Sequence, residues 1–237
     1  MVTFPPTTTV VNLNGNYIHA SQINGLVQCM GEVTSTLKEL SLGHTLDGDD
    51  NLQLFFSLLR DMPQLKKLDI SDCRLTYRSG KYIAQVLRFF PALEDLNVSA
   101  NLLDVEGAND VSVSLEWMKH LKNLNISAAH IGNCGAVSIV TGLLRSTSPV
   151  EVLDLSHNDI TDVGVREVCT CLSRLTSPKL YYLNLSHNPF AGLSATQLRS
   201  MMAERQTNCV VDATDTPLEE VSRESSKGRQ TPDTSET

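Results

Sequence analysis

The chain has 237 residues, of which 41% are apolar and only 5% aromatic, and its formal net charge is −8. This length and composition allow a substantial aliphatic core in one large domain or two small ones. The acidic balance argues against nucleic acid and anionic membranes as partners, because both carry negative charge.

The amino-terminal end shows no targeting signal. The first twenty residues contain no Lys or Arg and no continuous apolar run, which is unlike a secretory signal. No part of the chain approaches the roughly 18–20 uninterrupted apolar residues of a membrane span. We therefore expect an intracellular, cytoplasmic protein whose cysteines are reduced thiols. A first strand is predicted near Thr8, and its open edge could pair with another chain, so a dimer through the N-terminal edge is one alternative.

An eleven-residue pattern, L-x-x-L-x-L-x-x-N/C-x-L, recurs along the chain, and its clearest copy runs from Leu65 to Leu75. The ninth position of the pattern falls at Asn16, Thr45, Cys73, Asn101, Ala129, Asn158 and Asn188. The copies are therefore spaced by 28 to 30 residues. Seven copies in one register predict a repeat array.

Each repeat is predicted to contain a strand, a turn and a helix. The fourth and sixth positions lie on one side of a short strand, because side chains alternate with period two, and they enter the core. A ninth-position Asn can satisfy backbone groups where the chain leaves the strand, but Ala129 cannot, so we expect a weaker turn there. Amphipathic helices follow. The segments interpreted as turns before three of these helices are Ser79-Gly80, Asn133-Cys134-Gly135 and Asp162-Val163-Gly164.

Residues 8–212 resemble the ribonuclease-inhibitor-like class of leucine-rich repeats, with 28–30-residue repeats and a full helix in each. This resemblance implies an α/β fold, a curved solenoid with parallel strands on the concave face and helices on the convex face. Parallel strands stack about 4.8 Å apart whereas packed helices need about 8–10 Å, and the mismatch bends the stack.

The carboxyl-terminal end is predicted to close the array. Ser194 to Arg205 has the pattern of a last helix, and Cys209-Val210-Val211 that of a short closing strand. Residues 216–237 contain five acidic and three basic residues and few aliphatic ones, which is typical of disorder. We therefore predict one leucine-rich-repeat domain over residues 1–215 and a disordered polar tail over residues 216–237.

Candidate binding residues gather in the last two repeats. After Val10, the third position is polar up to Asn123 and then changes to Val152 and Tyr182, and the eighth position becomes His157 and His187. Tyr181 precedes Tyr182, and Tyr is an efficient interface residue. The hypothesis is that these five residues form the main contact of a partner. The alternative is that the two tyrosines pack on the end of the solenoid. The two histidines are expected to stack.

Two further features of the fourth and fifth repeats invite interpretation. Trp117, the only Trp of the chain, lies in a predicted helix from Leu115 to His120 and is expected to fill the core or a groove. The stretch from Asp104 to Asn109 is interpreted as an exposed acidic bump on the convex side and as a second candidate contact surface.

The sequence predicts no enzyme. It contains no phosphate-binding loop, no nucleophile motif and no metal-spaced Cys/His set, so neither cofactor nor metal is expected. The favoured function is a non-enzymatic interaction module or scaffold that binds a protein through its concave face. One alternative is a structural subunit of a cytoskeletal or ciliary assembly, or an actin-capping role, since the end domain of tropomodulins is similar. Another is a small-GTPase regulator, because Ran GTPase-activating proteins resemble this repeat class, although no residue here matches a catalytic Arg.

Overall fold

The computed structural model describes residues 4–58, 61–174, 180–190, 200 and 209–214. These residues form eight strands of three residues each: β1 (Val10–Asn12), β2 (Glu39–Ser41), β3 (Lys67–Asp69), β4 (Asp95–Asn97), β5 (Asn123–Asn125), β6 (Val152–Asp154), β7 (Tyr182–Asn184) and β8 (Val210–Asp212). All eight pair in parallel in one sheet, in their order along the chain. This order arises when each repeat adds one strand beside the previous one, and it confirms the predicted solenoid.

The register of the sheet follows the repeat. Leu68 of β3 pairs with Leu96 of β4, which pairs with Leu124 of β5. These fourth-position leucines are at most 2% exposed. A slip of one residue would turn every strand leucine out of the core, so the leucine spacing fixes the register.

Among the described residues, six α-helices follow the first six strands: α1 (Ala20–Met30), α2 (Asp49–Leu58), α3 (Tyr77–Val86), α4 (Asp104–Ser114), α5 (Gly132–Arg145) and α6 (Asp162–Leu172). Short 3-10 turns at Gly31–Val33, Leu87–Phe89 and Leu115–Trp117 extend α1, α3 and α4. The helices occupy the longer, convex side of the solenoid. The core lies between the strand leucines and aliphatic helix residues such as Ile83, Val111 and Ile139. None of the described helices is long and apolar enough to cross a membrane.

Several predicted turns are wrong, because their glycines lie inside the first turns of helices. The misplaced segments are Ser79-Gly80 in α3, Asn133-Cys134-Gly135 in α5 and Asp162-Val163-Gly164 in α6. Gly80 instead allows two helices to approach closely: a Cβ atom built on it would lie 2.5 Å from the Cα atom of Gly107 in α4. A Cβ atom on Gly142 would lie 2.4 Å from the carbonyl oxygen of Ser112. Gly80 is therefore a packing residue and not a turn residue, and Gly142 likewise allows close packing of helices.

Ninth-position asparagines join consecutive repeats. Asn188 is 1% exposed, and its Oδ1 accepts a hydrogen bond from the backbone N–H of Asn158 at 2.8 Å. Its Nδ2 donates to the carbonyl oxygen of Leu155 at 3.0 Å. Asn158 and Asn101 make equivalent bonds to the repeats that precede them. At the fifth repeat the methyl group of Ala129 can neither donate nor accept, so it contributes no bond to this ladder.

The last described strand closes the sheet at Val210–Asp212, one residue after the segment Cys209–Val211 that the sequence indicates. The predicted last helix, Ser194 to Arg205, lies outside the described residues except for Ser200. The predicted tail, residues 216–237, also lies outside them, so the division of the chain at residue 215 stays a prediction.

Candidate protein-binding surface

The concave face is built from the third and fifth positions of the repeats. In each strand the central residue is buried and the two flanking residues face the concave side. The third positions are Val10, Glu39, Lys67, Asp95, Asn123, Val152, Tyr182 and Val210, and the fifth are Asn12, Ser41, Asp69, Asn97, Asn125, Asp154, Asn184 and Asp212. The face carries the carboxylates of Glu39, Asp69, Asp95, Asp154 and Asp212 against the single ammonium of Lys67. It is therefore acidic.

Fifth-position side chains are held in place by hydrogen bonds from neighbouring residues. The Oδ1 atom of Asp154 accepts bonds from the backbone N–H of Ser156 at 2.9 Å and from its hydroxyl at 2.7 Å. Asn97 accepts the same two bonds from Ser99. The other carboxylate oxygen of Asp154 accepts a bond from the Nδ2 of Asn184 at 3.0 Å. Because these side chains are already fixed, a partner would meet ordered acceptors at a low entropic cost.

A groove of about 220 Å³ lies in the middle of the concave face. Its polar lining includes Lys67, Asp95, Asn123 and Asp154, and Val152 lies at its carboxyl-terminal side. The Nδ2 of Asn123 donates a hydrogen bond to the carboxylate of Asp95. The groove therefore offers carboxylates, amides and one ammonium to a bound surface, and its apolar lining consists of Leu68, Leu96, Leu124 and Val152.

The structure brings three of the predicted site residues together at the amino-terminal ends of β6 and β7. Val152 and Tyr182 are neighbours in the parallel ladder, and Tyr181, directly before β7, is 53% exposed. The Tyr182 hydroxyl donates a hydrogen bond to Asp212 of β8 at 3.1 Å. Burial raises the pKa of Tyr182, and the bond to Asp212 adds to that increase. The backbone N–H of Thr214 is the main cause that lowers the pKa of the Asp212 carboxyl.

The other two predicted site residues, His157 and His187, lie beyond the carboxyl-terminal ends of the same strands. Their rings stack, with centroids 4.1 Å apart and planes 11° from parallel. Both residues adopt left-handed backbone conformations, with φ of 54° and 56°. Every eighth position of the array does the same, because the chain turns out of the sheet there. The five predicted residues therefore form two groups at opposite ends of β6 and β7.

Two aspartates of the same repeat as His157 are engaged elsewhere. Asp159 lies 3.0 Å from the Nδ1 of His130, and Asp154 accepts the bonds from Ser156 described above. Within the part of the chain that the structure describes, no three His, Cys, Asp or Glu side chains are placed to hold a metal ion.

A charged triad lies beside the amino-terminal ends of the central strands. Glu94 accepts hydrogen bonds from the ammonium groups of Lys122 and Lys66, both at 2.6 Å. The hydrogen bond from Lys122 makes the larger contribution and the bond from Lys66 the next, and together they lower the pKa of the Glu94 carboxyl to about 2. The triad links three consecutive repeats through the residues that directly precede β3, β4 and β5.

Trp117 is 52% exposed, so the expectation that it fills the core or a groove is wrong. Trp117 ends the 3-10 turn Leu115–Trp117. The described residues from Leu115 to His120 do not form the helix that the sequence predicts. Phe89 occupies the equivalent place one repeat earlier and is 43% exposed. The 28-residue interval between Phe89 and Trp117 is the signal in the sequence that pairs them.

The stretch from Asp104 to Asn109 begins helix α4. Glu106 and Asn109 are exposed, whereas Gly107 and Ala108 are buried. The acidic surface proposed from the sequence is therefore one edge of a packed helix, and its role as a contact surface stays a prediction.

Comparisons with known proteins match the repeats. Models described as Leucine Rich repeat match residues 62–84 and 148–169, and one described as Leucine Rich Repeat matches residues 179–201. RAN GTPase-activating protein 2 from Arabidopsis thaliana is 34% identical over 70 residues. That match covers 30% of this chain and only 12% of the Arabidopsis protein.

Solved structures with similar folds include an internalin from Listeria monocytogenes, with a TM-score of 0.53 and 17% identity over 88% of this chain and 54% of the internalin. A protein from Bacteroides fragilis superposes with a TM-score of 0.50 and 17% identity, over 83% of this chain and 62% of that protein. These likenesses concern the fold alone, and the ribonuclease-inhibitor-like subclass stays a prediction. From its matched repeats and its single parallel sheet, the chain is a leucine-rich-repeat protein.

Proposed function

We propose that the protein is a non-enzymatic binding module that holds a partner protein against its concave face. Solenoids of this kind generally present an extended concave surface for binding. The observation that carries the proposal is the ordered acidic face, in which hydrogen bonds fix the fifth-position side chains such as Asp154. Its charge favours a partner surface that is rich in Lys or Arg.

The proposed contact residues lie at the carboxyl-terminal end of this face. Val152, Tyr181 and Tyr182 would supply apolar area beside the carboxylates, and tyrosines lose little conformational entropy on binding. His157 and His187 would meet the same partner beyond the other ends of β6 and β7. Tyr181 directly precedes β7, and its exposed ring is available to a partner that reaches over the amino-terminal ends of the strands.

Affinity purification of the full chain from native cells, with quantification of the proteins recovered, tests the proposal. Tyr181→Ala and His187→Ala should lower recovery of the specific partner about tenfold or more, as expected for interface hot spots, and leave the melting temperature unchanged. Val163→Ala is the matched control, because Val163 on convex helix α6 is 52% exposed and Tyr181 is 53% exposed. Equal recovery by all three variants would contradict the proposed contact residues.

A second candidate function rests on the relative from Arabidopsis. The 34% identity over 70 residues supports a small-GTPase regulator, since the name of that relative describes an activator of the Ran GTPase. Measurement of GTP hydrolysis by a panel of small GTPases, with and without the full chain, separates the two functions. Acceleration of hydrolysis by the protein would favour the regulator.

A further inference from the structure

Helix α3 is a basic element in an acidic protein. Residues 77–90 contain Arg78, Lys81 and Arg88 and no acidic residue, although the chain as a whole has a net charge of −8. The helices on either side have the opposite sign: α2 begins with Asp49 and Asp50, α4 contains three acidic residues, and neither contains Lys or Arg. A narrow positive stripe therefore runs along the convex side between two negative helices.

Two large aromatic side chains lie exposed at the carboxyl-terminal end of this stripe. Phe89 and Trp117 are 43% and 52% exposed and end equivalent 3-10 turns in adjacent repeats. The Cζ atom of Arg88 lies 5.1 Å from the centroid of the Trp117 ring, within cation–π range. The neighbours Leu87 and Met118 are buried, so each turn has its core contacts without the aromatic residue. Clustered exposed apolar side chains of this kind often mark an interaction site.

A groove of about 290 Å³ adjoins these side chains. It is lined by Tyr82, Gln85, Val86, Arg88 and Phe89, which recur along one side of α3 and its 3-10 turn. The Tyr82 hydroxyl donates a hydrogen bond to the carbonyl oxygen of Gln53 in α2 at 2.9 Å, which fixes this ring against the neighbouring helix. The groove is near the lower end of the sizes of small-molecule pockets, and its lining is suited to an apolar side chain.

We propose that the α3 surface, defined here as Lys81, Tyr82, Arg88, Phe89 and Trp117, binds an acidic segment of a second protein. An apolar side chain of that segment enters the groove, and its carboxylates face Lys81 and Arg88. This surface lies on the convex side and is distinct from the acidic concave face, so it would serve a partner of opposite charge.

The charges around the α3 surface favour a protein segment over an anionic membrane. Exposed Asp50 in α2, Glu106 in α4 and Glu116 beside Trp117 border the basic stripe. A flat negative bilayer would meet these carboxylates together with the basic groups, including exposed Lys119, and they would offset its attraction to the stripe. A narrow segment that follows the groove meets Arg88 directly, and no carboxylate belongs to the lining of the groove. We therefore commit to a peptide-like occupant.

Selection of random peptides displayed on phage against the folded full chain tests the proposal. The selected peptides are expected to carry Asp or Glu on either side of an aromatic or aliphatic residue. Because Trp117 is the only Trp of the chain, its fluorescence reports directly on the α3 surface, and a selected synthetic peptide should shift its emission to shorter wavelength in a saturable titration. The affinity should fall as salt is raised from about 0.05 to about 0.5 M.

One double variant and one control variant give the result its specificity. Lys81→Glu and Arg88→Glu together should weaken the selected peptide at least about tenfold, because two attractions become repulsions. The control is Arg166→Glu, a charge reversal at an exposed position of α6, which should leave the affinity unchanged. Circular dichroism establishes that all variants are folded.

Four outcomes would overturn the proposal. These are a selection that enriches no peptide, peptides without acidic residues, an affinity that the Lys81 and Arg88 reversals leave unchanged, and a Trp117 emission shift with vesicles containing phosphatidylserine but not with the selected peptides. None of these results bears on the concave face, because the proposed function of that face rests on other residues.

Discussion

Replacement of Gly80 by alanine tests whether α3 and α4 touch backbone to backbone. A Cβ atom at this position would lie 2.5 Å from the Cα atom, 2.8 Å from the carbonyl oxygen and 3.0 Å from the carbonyl carbon of Gly107. Since all three atoms belong to the backbone, no side-chain rotation relieves the contact and α4 must move. Such overpacking costs up to about 3 kcal/mol, while alanine gains about 1 kcal/mol of helix propensity over glycine. Gly80→Ala should therefore lower the free energy of unfolding by about 2 kcal/mol.

Gly25→Ala is the matched control, because Gly25 is an exposed residue inside α1 and a Cβ atom there would meet nothing within 4 Å. It should raise stability by about 1 kcal/mol through helix propensity alone. In thermal unfolding followed by circular dichroism, we expect Gly80→Ala to lower the melting temperature by about 4–8 °C and Gly25→Ala to raise it by about 2–4 °C. An equal increase in both variants would refute the close packing of α3 on α4.

Three other substitutions test the ladder and the charged triad, each by urea unfolding. Asn188→Ala should cost about 3 kcal/mol or more, because it leaves the buried N–H of Asn158 and the carbonyl of Leu155 without the Asn188 side chain; a loss below about 1 kcal/mol would contradict this. Ala129→Asn should add about 1 kcal/mol by completing the ladder, and a destabilised variant would show that the site lacks the necessary space. Glu94→Gln should cost less than about 1 kcal/mol at neutral pH, since the two lysine side chains that pair with Glu94 are largely open to solvent. The pKa of Glu94 is lowered to about 2, so its contribution is present above about pH 4.5 and is lost as the pH falls towards 2. A difference between wild type and Glu94→Gln that stays constant from pH 7 to about 2 would rule out this linkage.

Much of the fold follows from the sequence because the repeat register specifies strand pairing. Leucines at the fourth position must all enter one core, and therefore Leu68, Leu96 and Leu124 pair as their spacing predicts. The helix beginnings are harder to predict, since glycine serves both turns and close packing. The space beside Gly80 depends on Gly107, which belongs to the next repeat.

The candidate surfaces are only partly predictable. The stacking of His157 on His187 follows from equivalent positions in adjacent repeats and is confirmed. The two histidines lie apart from Val152 and Tyr182 because the chain leaves the sheet at the eighth position in a left-handed conformation. Residue types at the eighth position vary between repeats, so they do not predict this conformation. Exposure of Trp117 is equally hidden, because a single aromatic residue does not show which side of a turn faces the core.

Site-specific photo-crosslinking tests the binding function of the concave face most directly. A benzophenone amino acid replaces Tyr182 on the concave side or, as the control, Val163 on convex helix α6, in the full chain expressed in native cells. We predict that irradiation yields a covalent adduct with one partner protein from position 182 and none from position 163. An adduct from position 163 with none from position 182 would contradict a concave binding face.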